Sequence, residues 1–417
     1  MTRLLIVSFT FPPYSGIGGR RWAKFIKCLN RDGINCQVIS ATKGNEKNSP
    51  WEKDTLGYAD KITFVKPPYP QILMTNPKSI VQKLNYKLAL WKVKQKKKEI
   101  NYYDYSTGFG YAIKPLVEKA IRQGTKNVLI SVGPFHMAWE LLALKKAYPD
   151  VNFMVDFRDP WSNNKTSFGF AEMLPEALLQ EQKKEREVIQ GYDFIFAVSG
   201  EMNDYFKAIS GVDDHKFINL PNGFDPEDLN TEILNSDKKG DKLNLLLLGT
   251  LYGKTKPLFD ELNNALIKLK HDNPDFYQKI VFNFSGEVPQ WFGGFKEQHS
   301  NIIYHGKKQY QQAAELARNS DAVMLFLTDD LNFSMSTKFY EGLAMKKPII
   351  VFSSKGKTAE YVEQNQIGLA INKGSIYEDL LHLFYHYQQG QLKFNPEFNT
   401  AEFEINNLIN KVIATLK

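Results

Sequence analysis

The chain has 417 residues, 43% of them hydrophobic and 24% charged, which excludes a disordered protein and is too long for one ordinary core, fitting two domains of roughly 200 residues each. No run of about 18 apolar residues is present, which excludes a spanning helix. The formal charge is +7, but residues 1–225 carry 32 Lys and Arg against 23 Asp and Glu, and the remainder 21 against 23; an N-terminal half that basic points to an anionic surface or substrate.

The first apolar run, LLIVSFTF after Arg3, is short and ends in Pro12-Pro13 with no small-residue cleavage site. It reads as a buried strand rather than a leader. Further strands are predicted at Cys36–Ser40, Lys61–Val65, Val128–Val132, Phe153–Phe157 and Phe194–Val198. After PNGFD the pattern restarts with Leu243–Leu248, Ile280–Ser285, Ile302–His305, Ala322–Leu327, Ile349–Phe352 and Leu369–Ile371. Apolar strands alternating with helical stretches mean parallel sheets covered on both faces. The restart implies two doubly wound domains, 1–222 and 223–400, with the seam at LPNGFDP, residues 220–226. A final helix within 401–417 is placed back on the first domain. Cys28 and Cys36 fall on a predicted helix and strand; they support neither a disulfide framework nor a zinc site, and the cytoplasm is the expected compartment.

In such sheets ligands bind outside the carboxyl ends of the strands, which selects the loops to inspect. The loop FPPYSGIGGRRW brings Gly16, Gly18 and Gly19 between the first strand and a helix starting near Arg20. Exposed backbone N–H groups and the helix start favour an anion, and Arg20 and Arg21 add formal charge. The spacing is not G-x-G-x-x-G and no acid closes the second strand, so a dinucleotide fingerprint is absent. A tight turn alone would also use these glycines. If they serve close approach to a ligand, Gly19→Val blocks activity and leaves the fold intact.

The fourth strand ends in SVGPFHMAW, with His136 at a helix start, and the fifth in VDFRDPW, with Arg158 between Asp156 and Asp159. An internal Arg–Asp pair or a substrate contact through Arg158 or Asp159 fits equally. In the second half, LLLLGTLYGKTKP places Gly249 at a turn followed by Lys254 and Lys256, cations suited to phosphate. The segment NFSMSTKFYEGLAM reads as an N-cap at Ser336-Thr337 and a short helix carrying Lys338 and Glu341. A helix start can hold a diphosphate, and a carboxylate beside it can accept hydrogen bonds from ribose hydroxyls. Asp213-Asp214 and Asp329-Asp330 are isolated acidic pairs, and no metal cluster is expected.

PPYSGIGGRR, DFRDPW, PNGFD, GTLYGK and KFYEGLAMKKPII, in this order and spacing, resemble glycosyltransferase family 4, the retaining GT-B enzymes, and most of all bacterial members that build capsule and O-antigen polysaccharides. The resemblance spans essentially the whole chain. It implies two Rossmann-like domains with an interdomain cleft, the first binding acceptor and the second a nucleotide sugar, UDP- or GDP-linked. It further implies that Gly18 and Gly19 approach donor phosphates, that Gly16, Arg20 and Arg21 face the acceptor, and that His136 lies near the transferred sugar with Arg158 and Asp159. Gly249, Lys254, Lys256, Ser336, Thr337 and Lys338 would meet the diphosphate and Glu341 the ribose. Many members carry a second Glu eight residues before this one, where the present chain has Phe333; sugar identity is then open, and so is a degenerate, weakly catalytic partner subunit. A nucleotide-sugar epimerase is a further alternative. A phosphorylase lacks a phosphate or pyridoxal signature.

Residues 80–100, IVQKLNYKLALWKVKQKKKEI, set Ile80, Leu84, Leu88 and Trp91 at helical spacing among lysines. Such a helix either packs on the core or meets an anionic membrane surface, as suits a lipid-linked acceptor at the inner face of a plasma membrane. Nucleic-acid binding is not expected, because the lysines lack interleaved stacking aromatics on a recognisable module.

Overall fold

The computed structural model describes residues 2–417 except 15–16, 43–48, 101–103, 165–172, 229–239, 309, 329–334 and 355. Its Phe333 and Gly16 thus lie outside the described residues. Two compact units divide the chain, Met1–Pro221 with Ile405–Lys417, and Asn222–Glu404.

The first unit holds a parallel sheet of β1 (Arg3–Ser8), β2 (Asn35–Ala41), β3 (Ile62–Val65), β4 (Asn127–Val132), β5 (Asn152–Phe157), β6 (Phe194–Ala197) and β7 (Phe217–Asn219) in the order β3-β2-β1-β4-β5-β6-β7. The second holds β8 (Leu243–Leu248), β9 (Ile280–Ser285), β10 (Ile302–Tyr304), β11 (Ala322–Phe326), β12 (Ile349–Ser353) and β13 (Gly368–Asn372) in the order β10-β9-β8-β11-β12-β13. Central strands such as β4, β5 and β9 are buried along their whole length, which is why they read as unbroken apolar runs. The one strand not predicted, β7, is three residues long and only half covered, too short to show a period. With helices flanking each sheet, both units are Rossmann-like.

Strand order reverses between β1 and β4 in the first sheet and between β8 and β11 in the second. At such a switch point neighbouring loops diverge and leave a crevice at the carboxyl ends. The loops singled out in the sequence after β1, β4 and β8 and before the Thr337–Met345 helix flank these two points. Gly342 explains the glycine of the YEGLA block: a Cβ there would come within 3.0–3.2 Å of Val323 and Ile349 side chains, so its absence lets the helix lie directly on β11 and β12.

The chain's last helix, Ile405–Ile413, belongs to the first unit. Ile405, Leu408, Ile409 and Val412 join Trp22, Phe25, Ile26 and Leu29 in one core cluster, and Asn152 Nδ2 donates to Thr415 O at 2.7 Å.

Arg21 is committed to the fold, which corrects its assignment as an acceptor contact. It is the second residue of the Arg20–Arg31 helix, is buried, and donates from Nε and Nη2 to the two oxygens of Asp156 at 3.2 and 2.9 Å. Nη2 also donates to Leu220 O at 2.6 Å and Nη1 to Pro221 O at 2.8 Å. Asp156 also accepts from Trp22 Nε1 at 2.7 Å and Ser131 Oγ at 3.1 Å. The internal pair therefore joins Asp156 to Arg21 and leaves Arg158 out. Arg20 is buried as well, at 5% exposure, and presents no open cation to an acceptor. Removing one partner of a buried, hydrogen-bonded pair typically costs about 3–5 kcal/mol. Asp156→Ala should lower unfolding free energy by about that much in urea titration, whereas Asp204→Ala, whose side chain is 77% exposed, should shift it by less than about 0.5 kcal/mol. Equal small shifts would show that the pair is not a structural linchpin.

Candidate functional site

In the second unit the loops after β8, β9 and β10 are tied to each other by backbone hydrogen bonds. Gly249 N donates to Ser285 O at 2.8 Å, Leu251 N to Glu287 O at 2.8 Å, and Gly286 N to Gly306 O at 3.1 Å. Between them lies a cavity of about 240 Å³ lined by Leu248, Gly249, Thr250, Ser285, Gly286, Glu287, Lys307, Lys308 and Ala313. Both glycines at its floor have left-handed backbones, with φ of 93° at Gly249 and 140° at Gly286. A Cβ on Gly286 would sit 2.2 Å from Gly249 O, so the two loops can touch only because that side chain is missing.

The Thr337–Met345 helix opens beside this cavity. Ser336 caps it, its hydroxyl accepting from Phe339 N at 3.4 Å. Lys338 folds over Gly249, with Cε 3.1 Å from where a Cβ would be. Its ammonium donates to Thr250 O and lies 5.3 Å from the Tyr252 ring centre. Burial pulls the Lys338 pKa down to about 8, against the opposing attraction of Glu341 one turn along. The site thus has a desolvated cation, a capped helix start and two exposed lysines, Lys307 and Lys308, around a preformed hollow.

The structure does not bring Lys254 and Lys256 into the lining. Lys254 is exposed, and Lys256 pairs with Asp260 at 2.7 Å across one helical turn. Lys307 and Lys308 stand there instead. Their signal was available as a glycine and two lysines directly after a strand, the same pattern as at Gly249.

In the first unit, Gly18 and Gly19 make room for protein atoms. A Cβ on Gly18 would lie 3.0 Å from the Arg158 guanidinium, and one on Gly19 would lie 3.1 Å from Phe11 Cα and 3.2 Å from Thr10 O. Gly19→Val would therefore push on the backbone after β1, which corrects the expectation that it leaves the fold intact. Among the described residues Arg158 hydrogen-bonds only at long range, 3.4 Å to Val132 O and 3.5 Å to Gly133 O, and it stays half-buried beside Gly18 at the ends of β4 and β5. Desolvation raises the Asp159 carboxyl above its usual range, with Arg158 opposing.

His136 begins the His136–Ala147 helix and meets a partner that nothing in the local sequence announces. Its Nε2 lies 2.6 Å from Glu181 Oε2, which also accepts from Trp161 Nε1 at 2.9 Å, while Lys184 reaches Glu181 Oε1 at 2.8 Å. The indole of Trp161 stands edge-on to the imidazole. Desolvation pushes the Glu181 carboxyl up, but the hydrogen bonds and charges of His136 and Lys184 outweigh it and bring it down to about 2. An ionised carboxylate only accepts, so Nε2 carries the proton and the ring is held in one orientation.

No protein-family model matches the chain, and no curated protein sequence is similar to it. Solved structures do match over nearly its full length. A glycosyltransferase from Rickettsia africae aligns at 15% identity with a TM-score of 0.63, covering 99% of this chain and 97% of its own. An E. coli trehalose-6-phosphate structure bound with UDP-2-fluoro glucose aligns at 12% and 0.57, covering 99% and 96%. A candidate UDP-N-acetylglucosamine 2-epimerase from Listeria monocytogenes aligns at 11% and 0.56, covering 99% and 95%. At these identities the likeness is one of fold: the chain has the GT-B fold of these proteins.

The Glu181 network carries a pH signature. A carboxyl held low contributes stability that is fully present above its ordinary value of about 4.5 and is lost as pH falls toward 2. Glu181→Gln should unfold about 2–3 kcal/mol more easily at pH 7. The gap to the parent protein should narrow as pH drops from about 4.5 to about 2. A gap that does not change with pH would assign the effect to packing alone.

Proposed function

We propose that the protein is a retaining, metal-independent glycosyltransferase. It moves a sugar from a nucleotide diphosphate sugar, UDP- or GDP-linked, to a glycan or lipid-linked acceptor in cell-surface polysaccharide synthesis. The observation that carries this reading is the second-unit hollow, where Lys338 and the capped helix start stand beside a glycine-floored cavity edged by Lys307 and Lys308.

Sugar transfer from such a donor requires a departing diphosphate to be stabilised. Preorganised donors and cations in a desolvated site do this electrostatically. Lys338 and the N–H groups after Ser336 are groups of that kind, while Lys307, paired with Glu287 at 3.4 Å, and Lys308 add solvated positive charge at the rim. Glu341, half-buried one turn along the helix, is suited to accept from ribose hydroxyls. In the first unit, Arg158 with its weakly used guanidinium and the oriented His136 are proposed to meet the transferred sugar and the acceptor. The departing phosphate would itself take the acceptor proton in a front-side transfer. A related fold in a candidate nucleotide-sugar epimerase supports the second reading, in which an altered nucleotide sugar leaves without any acceptor.

Calorimetric titration of UDP, GDP and ADP tests the donor site. One of the three should bind, and Glu341→Ala should weaken it about 10- to 150-fold through loss of charge-assisted hydrogen bonds. Affinity should also decline as pH rises through about 8, where Lys338 loses its proton, and Lys338→Met should flatten that dependence. If no nucleotide binds the parent protein, the transferase proposal fails. If a nucleotide sugar is converted with no acceptor present, the epimerase takes its place.

A further inference from the structure

We infer that the Ile80–Ile100 helix is a docking surface for an anionic lipid bilayer. The inference stands apart from the transferase reading, since it concerns no residue of the donor site. Successive residues of a helix are 100° apart, which gives this one two apolar faces. Ala89 and Val93 lie on one face and are buried, at 9% exposure each. Ile80, Val81, Leu84, Leu88 and Trp91 fall within about 100° of arc on the far side, each more than half exposed. A helix serving only the core would turn its large side chains inward and its alanine outward. Here the reverse holds, so the core alternative drawn from the sequence does not describe this helix.

The borders of the exposed stripe decide its occupant. Lys83, Lys87 and Lys94 run along one edge and Lys92 and Lys96 along the other, all exposed, and Glu99 is the helix's single acid. Large apolar groups flanked on both sides by long cationic chains match a membrane interface, where the rings and branches enter the acyl boundary and the ammonium groups remain among phosphates. A second copy of the same helix would set lysine edge against lysine edge in either direction, with almost no carboxylate to pair them. No helix among the described residues is long and apolar enough to cross a membrane, so the contact is one of lying on the surface.

Flotation of the full chain with two kinds of vesicle tests this, one of phosphatidylcholine alone and one of equal parts phosphatidylcholine and phosphatidylglycerol. The protein should float with the anionic vesicles only, and salt should release it. Leu84→Gln with Leu88→Gln and Trp91→Gln should weaken binding at least about tenfold, and each of Lys83→Gln, Lys87→Gln and Lys94→Gln about fivefold. These positions are exposed, so thermal unfolding and nucleotide titration should match the parent. Failure to float with anionic vesicles overturns the inference whether or not nucleotide binds. So does undiminished flotation of the triple apolar variant. So, too, does a dimer in light scattering that this variant dissolves while vesicle binding is absent, since the stripe would then be a self-association face.

Discussion

The buried pair of Arg21 and Asp156 is the constraint around which the first unit is arranged. A guanidinium without water must have its hydrogens and its charge satisfied, and a carboxylate must have its lone pairs taken up. Arg21 reaches β5 through Asp156 and the chain's exit from the unit through the carbonyls of Leu220 and Pro221. Asp156 in turn holds Trp22 and, on β4, Ser131. Helix, two strands and the exit are thereby set at one switch point, and the loops bearing Arg158 and His136 start from that frame.

The second unit reaches a similar rigidity by another route. Its loops after β8, β9 and β10 are joined through main-chain hydrogen bonds, with glycine where a side chain would keep them apart. Lys338 is folded into the same assembly and loses part of its hydration there. An ammonium that has already given up water costs less to bring against an anion than a solvated one on a flexible stem. A desolvated lysine over a fixed backbone hollow is therefore better prepared to meet an anion than the exposed Lys254 or than Lys256, which is paired with Asp260.

Glycine roles show where a sequence pattern misleads. Gly18, Gly19 and Gly249 all stand in loops that suit an approaching ligand, yet the atoms nearest to them belong to Arg158, the Phe11 backbone and Lys338. Close approach is indeed what the missing side chains permit. Much of that approach is of protein to protein, and any ligand contact is made by the groups so positioned.

The strands other than the short, half-covered β7, their parallel arrangement and the restart after PNGFD followed from the sequence alone, because strands buried on both faces must be apolar throughout and their length is set by the core they cross. The loops at the carboxyl ends could be selected in the same way, as could the N-cap at Ser336. Tertiary structure alone decided which charged groups are used up inside. Arg21 and Arg158 look alike in sequence, but Asp156 lies 135 residues from the one it neutralises, and Glu181 lies 45 residues from His136. It also decided which of two apolar faces on the Ile80–Ile100 helix is covered, since periodicity marks a face without saying what lies against it. Local pattern records what the backbone and burial require of each residue in turn; pairing and exposure depend on what the folded chain brings alongside.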